Sequence, residues 1–309
     1  MRLALFTFIF LIVMTPHTAR ALSITPSVIE ISAARGTVIQ KKVSVINTKG
    51  MEQTYFVGIL KFKASEEGES PVFIPANEDQ TGLPQWIQLS FTEFRLAANT
   101  KADVPFEIAI PQDVNSGGYY AALTVSQAPG DVVAENGVLI EAKVASLILL
   151  TVEGETTEKL AVLDFTSKTA EINSIRSSIT DSYTFRLQNQ GNVHVTPVGL
   201  VQVKDVFGRT VASHDANPEK VRILPGSTRS FDVLTTKTNR FWRNVSEQMR
   251  LFAFGPMTAQ LSIVYGSSNT SIEQSFSYWY IPWQLLTVIG GVLIVLIGIW
   301  QLLHRKKTH

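Results

Sequence analysis

The chain has 309 residues, 27 Lys+Arg against 26 Asp+Glu, 17% charged residues and no cysteine. That length allows two domains, each large enough for its own core. The missing cysteines exclude a disulfide framework, a thiolate metal site, an iron–sulfur cluster and a cysteine nucleophile, and a net charge of +1 gives no support for nucleic-acid binding.

Residues 1–21 read as a secretory signal peptide. Arg2 precedes the apolar stretch Leu3–Met14, and Ala19-Arg20-Ala21 supplies the small-x-small pattern, so cleavage is expected after Ala21. This stretch is too short for the roughly 20 residues that a bilayer span needs.

Between Leu22 and Ser277 the pattern is strand after strand. Val43-Ser44-Val45-Ile46 alternates, as do Val104, Phe106, Ile108 and Ile110, then Tyr183, Phe185 and Leu187, then Leu261, Ile263 and Tyr265. Turn chemistry separates the runs at Asn47-Thr48-Lys49-Gly50, Asn115-Ser116-Gly117-Gly118, Asn189-Gln190-Gly191-Asn192 and Pro225-Gly226. Many short strands at such spacing predict an all-β fold of immunoglobulin-like sandwiches. No convincing amphipathic helix is expected, only a single turn near Asn244–Met249. Ala64–Gln85 reads as one long loop carrying Glu66-Glu67-Gly68-Glu69 and Glu78-Asp79.

The pattern repeats internally. Asn47 corresponds to Asn189, Leu96-Ala97-Ala98-Asn99-Thr100 to Leu224-Pro225-Gly226-Ser227-Thr228, and the strand containing Ala122 to the one containing Ala259. Two tandem sandwiches follow, over residues 22–154 and 155–280, with the boundary in the acid-rich stretch Glu153–Lys159.

A transmembrane helix is predicted over 281–303, because Leu285–Leu303 holds 19 consecutive uncharged residues. Tyr278, Trp279, Tyr280 and Trp283 crowd its start and Trp300 lies near its end, as interfacial aromatics do. The basic tail 304–309 then stays in the cytoplasm. The expected topology is single-pass type I in the cell membrane, with the two sandwiches outside. Gly291 and Gly298 share a face of the helix and would admit a partner helix. Without the signal and the tail, the exterior holds 22 basic and 26 acidic residues, a mildly acidic surface.

Ser23–Ile31 with Gly36–Asn47 resembles the opening of PapD-like and related bacterial immunoglobulin-type domains. Trp86-Ile87-Gln88-Leu89-Ser90, Leu96-Ala97-Ala98-Asn99 and Ile110-Pro111 through Gly118-Tyr119-Tyr120-Ala121-Ala122 continue that resemblance. The layout from Leu22 to His309 is similar to the WxL-interacting protein family of bacterial cell surfaces. The resemblance implies a surface-anchored binding module with contacts to peptidoglycan and to WxL-domain partners, and it assigns no binding residue in this sequence.

Motifs for chemistry are missing. His194 and His214 lack ligand spacing and read as surface or strand residues. There is no nucleophile elbow, phosphate loop or dinucleotide fingerprint, and no cofactor or metal is expected. The acidic loop lacks the spaced ladder of a calcium site. The sequons at Asn244 and Asn269 are the kind that arises by chance.

One expectation is geometric. The last strand runs into the membrane helix, so the strand before it starts at the membrane-proximal end. Arg240, Phe241, Trp242 and Arg243 then hang at the lipid surface with Tyr278, Trp279, Tyr280 and Trp283, unless Phe241 or Trp242 plugs the sandwich instead. The expected function is a non-enzymatic, membrane-anchored bacterial surface protein. It would act as a binding or scaffold module for cell-wall polymer or another surface protein, with loop Ala64–Gln85 and Tyr119–Tyr120 as candidate contacts. The alternatives are a chaperone or assembly factor that uses an exposed edge strand, and an accessory subunit of a membrane complex.

Overall fold

The computed structural model describes residues 22–65, 70–127, 143–167, 175–176, 182–233 and 241–305. The signal segment with Ala21, the acidic run Glu66–Glu69, Arg240 and the tail 306–309 lie outside the described residues.

The first sandwich is built from β1 (Ser23–Thr25), β2 (Val28–Ala33), β3 (Val38–Ile46), β4 (Gln53–Ala64), β5 (Pro71–Phe73), the single turn α1 (Leu83–Trp86), β6 (Ile87–Leu89), β7 (Glu93–Leu96), β8 (Lys101–Ala109), β9 (Gly117–Ser126) and β10 (Val144–Val152). One sheet runs β1-β3-β8-β6 and the other β2-β10-β9-β4-β5, with β7 added to β4. The first edge therefore changes sheet between β1 and β2, and β2 pairs parallel to β10 from Leu147↔Val28 to Val152↔Ala33. Alternation sets the core: Val43 and Val45 of β3 and Val104, Phe106 and Ile108 of β8 share one buried cluster with Ala121, Leu123 and Val125 of β9 and Ile148 and Leu150 of β10.

The second sandwich holds β11 (Leu160–Ser167), β12 (Ile175–Arg176), β13 (Tyr183–Asn189), β14 (Val198–Lys204), β15 (Thr210–Asp215), β16 (Thr228–Val233), the helix α2 (Phe241–Leu251), β17 (Gly255–Tyr265) and β18 (Thr270–Tyr280). Its sheets run β11-β13-β16 and β12-β18-β17-β14-β15. The core is more aromatic: the rings of Phe185 and Phe231 stack at 5.0 Å, and Phe165, Tyr183 and Phe276 pack together. A last helix, α3 (Trp283–Arg305), follows β18 after two residues. The fold is all-β, two immunoglobulin-like sandwiches with one apolar C-terminal helix.

Three local expectations need correction. Ala64–Gln85 is not one loop. β5 returns along β4 with Phe62 opposite Phe73, and α1 closes the segment. The Gln80 side chain accepts from Lys61 N and donates to the carbonyls of Ile74 and Pro75, while Asp79 ion-pairs with Lys61 at 2.7 Å. Single residues pin the chain there, without any period to read.

The turn near Asn244–Met249 is a helix of 11 residues. Its residues segregate into an apolar and a polar side, an amphipathic pattern that the expectation of a single turn overlooked, and Val245 and Gln248 are its buried residues.

The repeat is real, but its register in two places is one residue from the sequence alignment. The turns Ala97–Thr100 and Leu224–Ser227 are equivalent. Each has a left-handed third residue (Asn99, φ 55°; Gly226, φ 72°), and each has a hydroxyl returning to the first carbonyl. In the next strand pair Gly117 and Gly255 both open the strand, opposite Val152 and Tyr280. The counterpart of Ala259 is therefore Ala121 and not Ala122.

Candidate functional site

That one-residue shift locates the cleft between the sandwiches. Side chains alternate along a strand, so Ala121, Leu123 and Val125 enter the first core while Tyr120 and Ala122 point to the opposite face. β10 behaves alike: Ile148 and Leu150 go inward, Leu147 and Leu149 outward. A continuous apolar run such as Leu147-Ile148-Leu149-Leu150 belongs in a strand covered on both sides. The outward set forms its own cluster: Phe62, Ala122 and Leu149 are buried, with Val28, Tyr120, Leu147 and, from the second sandwich, Leu224 packed on them.

Polar contacts fix the two sandwiches to each other. Gly118 N donates to Asn192 O at 2.8 Å, and Asn192 in turn holds the connecting stretch: Thr157 N donates to its side-chain oxygen at 2.7 Å and its own N–H donates to Thr157 O at 3.0 Å. Arg222 ion-pairs with Glu30 of β2. The Tyr120 hydroxyl lies 3.5 Å from His194 Nδ1, with the rings edge-on at 5.9 Å. Burial pushes the Tyr120 phenol well above its ordinary pKa. Burial likewise holds His194 below its ordinary value, only partly opposed by Glu158.

A cavity of about 370 Å³ remains in this junction. Its floor is Val28, Phe62, Leu147 and Leu149, Leu224 faces them, and Glu219, Arg222 and Arg229 form a charged rim. An apolar floor with a few charged groups converging on it is the composition of a binding site. Sequence reading missed this site, although the run Leu147–Leu150 signalled a strand with two covered faces.

The histidines fall in different places. His194 sits in the junction and was not expected there; His214 lies on β15 as expected, with burial lowering its pKa. Of the proposed contacts, Tyr119 packs on Trp86 at 4.6 Å and Tyr120 faces the cleft. Among the described residues no group of three or more His, Asp or Glu side chains could hold a metal ion.

At the other end of the second sandwich, Tyr280 opposes Gly255, so the start of β17 and the end of β18 meet where α3 begins. The Phe241 ring lies 6.2 Å from Trp283 and 5.4 Å from Trp242. Gln248 of α2 is buried against α3, donating to Gln284 Oε1 and accepting from Leu285 N at 2.9 Å. Tyr278 and Tyr280 are buried in the second core, whereas Trp242, Trp279 and Trp283 are exposed. Neither Phe241 nor Trp242 plugs the sandwich.

No family model matches the chain, and no curated protein matches it. The name of the WxL-interacting family therefore has no match behind it. Solved structures that resemble it include several chaperones. The class 5 fimbrial chaperone CfaA is 14% identical, over 84% of this chain and 99% of its own, with a TM-score of 0.39. The E. coli chaperone DraB is 14% identical over 85% and 97%, with a TM-score of 0.33. The YadV chaperone is 9% identical over 83% and 98%, with a TM-score of 0.38. At these values the likeness concerns the sandwich fold and nothing finer.

Proposed function

We propose that this chain is a non-enzymatic, membrane-anchored protein-binding module that holds a segment of a partner polypeptide between its two sandwiches, in an assembly or chaperone role. The cleft carries this reading. Its volume suits one or two large side chains, its floor is apolar, and charged side chains of both signs line its rim. A wall polymer is the weaker match. Sugar rings are commonly met by exposed aromatic faces, and among the described residues of the first sandwich Phe73 is the one exposed Phe or Trp, with both Tyr120 and Phe62 turned into the junction. The anchor is supported by Trp283–His304, a helix of 22 residues with an 18-residue window of mean hydropathy 2.4, almost none of which is covered by protein.

The test is a photo-crosslinking side chain at Val221 in the cleft of the 22–280 fragment, with a second at Ser268, in the β17–β18 turn and outside the cleft lining, as control. The expected result is a defined protein adduct from Val221 alone, lost in Leu224→Glu with folding preserved. Equal labelling from both positions, or an adduct indifferent to Leu224→Glu, overturns the reading.

Strand addition is a second reading with its own observation. β16 pairs only with β13 among the described residues, and its Arg229, with the preceding Ser227, also lines the cleft. A partner strand laid on this edge would send alternate side chains toward the cavity. Slowed amide exchange of Thr228–Val233 on complex formation supports it; unchanged exchange there with the adduct intact leaves the cleft alone as the contact.

A further inference from the structure

Exposed aromatic side chains of the described residues gather at the α3 end of the second sandwich, and they extend beyond the residues the sequence singled out. β14 runs antiparallel to β17 with Lys204 opposite Thr258, so the β14–β15 turn, Asp205–Arg209, emerges beside the start of β17. At its tip Phe207 is 91% exposed. Phe252, just after α2, is 81% exposed, Trp242 at the start of α2 is 72% exposed, and Phe254 also points to solvent. A soluble domain rarely leaves such a set uncovered.

These side chains are held in place. Asp205 accepts from the backbone N–H groups of Phe207 and Arg209 at 3.0 and 2.8 Å. The Arg209 guanidinium closes the turn onto Asp205 at 3.0 Å and donates to the carbonyls of Leu251 and Phe252 at 3.0 and 3.2 Å. Burial works to raise the Asp205 carboxyl, but those N–H donors and the guanidinium outweigh it and its pKa is lowered. One arginine thus ties the Phe207 turn to the Phe252 segment. Gln248 ties the same α2 to the first turn of α3.

We infer that this end of the second sandwich is a membrane-docking plate, with Phe207, Phe252, Phe254 and Trp242 seated in the headgroup layer of the bilayer that α3 crosses. The occupant is lipid because the aromatic surface is continuous with the uncovered apolar helix. Arg243 and Arg250, exposed on α2, add the cations that phosphate headgroups attract. With the Phe207 turn tied through Arg209 and α3 tied through Gln248, the sandwich would stand in a fixed orientation and hold the cleft away from the lipid. The inference rests on the anchor reading, and the experiment separates the two.

A chain without cysteine takes a single thiol label at any chosen site. Full-length protein in nanodiscs holding one copy each is labelled with an environment-sensitive fluorophore at Val206→Cys, Phe252→Cys, Ser268→Cys and Val295→Cys. Each is then read with and without headgroup- or acyl-spin-labelled phosphatidylcholine. The expected result is loss of most emission to the headgroup quencher at 206 and 252, to the acyl quencher at 295, and little loss at 268. The double variant Phe207→Ser/Phe254→Ser should restore the emission at 206. Quenching at 295 with 206 and 252 behaving like 268 overturns the plate and leaves the anchor standing. No acyl quenching at 295 overturns the anchor and the plate with it. A blue shift at 206 and 252 without lipid quenching means that protein covers the surface, and also overturns the inference.

Discussion

Asn47 and Asn189 do the same work in two different sandwiches. Each is fully buried. Asn47 donates to the carbonyls of Met51 and Leu96 at 2.9 and 3.0 Å, and Asn189 to those of Val193 and Ile223, both at 2.8 Å. Each side-chain oxygen accepts from the N–H two residues on, Lys49 at 2.9 Å and Gly191 at 2.8 Å. An asparagine at the end of a strand here closes its own turn and crosslinks it to the turn before the next strand.

Replacing either residue with alanine removes a buried side chain's donations, to three carbonyls at Asn47 and two at Asn189, and should cost about 2–4 kcal/mol. Urea denaturation of the 22–280 fragment measures it. Aspartate keeps the acceptor but loses both donations and brings a charge, so Asn189→Asp should be at least as damaging as Asn189→Ala.

Gly199 of β14 lies opposite Ile263 of β17. A Cβ at this position would come within 2.0 Å of Ser262 O and 2.9 Å of Ile263 Cα, both backbone atoms that cannot swing aside. Gly199→Ala must push the two strands apart, and a loss of roughly 3 kcal/mol is expected in the same denaturation assay. Gly208, whose added Cβ meets nothing, has a left-handed φ of 77°, so Gly208→Ala tests strain without a clash and should cost only about 1 kcal/mol.

Gln248 stands in for the missing preceding turn of α3. The Leu285 N–H is among the helix-terminal donors that have no partner within the helix, and Gln248 accepts from it. Gln248→Ala should destabilise the α2–α3 contact by about 1 kcal/mol, read as faster amide exchange at Leu285 in the full chain. Gln248→Glu keeps the acceptor and should retain protection at Leu285, although it loses the donation to Gln284.

Acid should loosen the junction. His194 has a folded pKa below its ordinary 6.5, so the unfolded chain takes up a proton there before the folded chain does. Its contribution to stability is complete above pH 6.5 and is lost as the pH falls below that value toward the folded pKa. The slope from this one group is at most about 1.4 kcal/mol per pH unit. His214 acts in the same direction. Denaturation midpoints at about pH 7.5 and about pH 5.5 should differ less in His194→Gln than in the wild type.

Composition, alternation and turn chemistry determined the class of this protein: two cysteine-free sandwiches and one apolar helix after them. Those signals are local, since period two and turn residues are written within ten residues of each other. Face and partner are not local. Nothing in Tyr120-Ala121-Ala122 says which alanine enters the core, because shifting a strand by one residue exchanges its faces and both are apolar here. Only the pairing of β9 with β10 and β4 decided it, and that pairing put Ala122 in the cluster that faces the second sandwich. Helix α2 is different: its amphipathic pattern is local and legible, and only its partner, the start of α3 at Gln284 and Leu285, needed the tertiary structure. The absence of cysteine, read first as a list of excluded chemistries, leaves each core to apolar packing and buried asparagines. Where those cores meet, and which apolar residues are left over for a partner or a membrane, was settled by tertiary contacts alone.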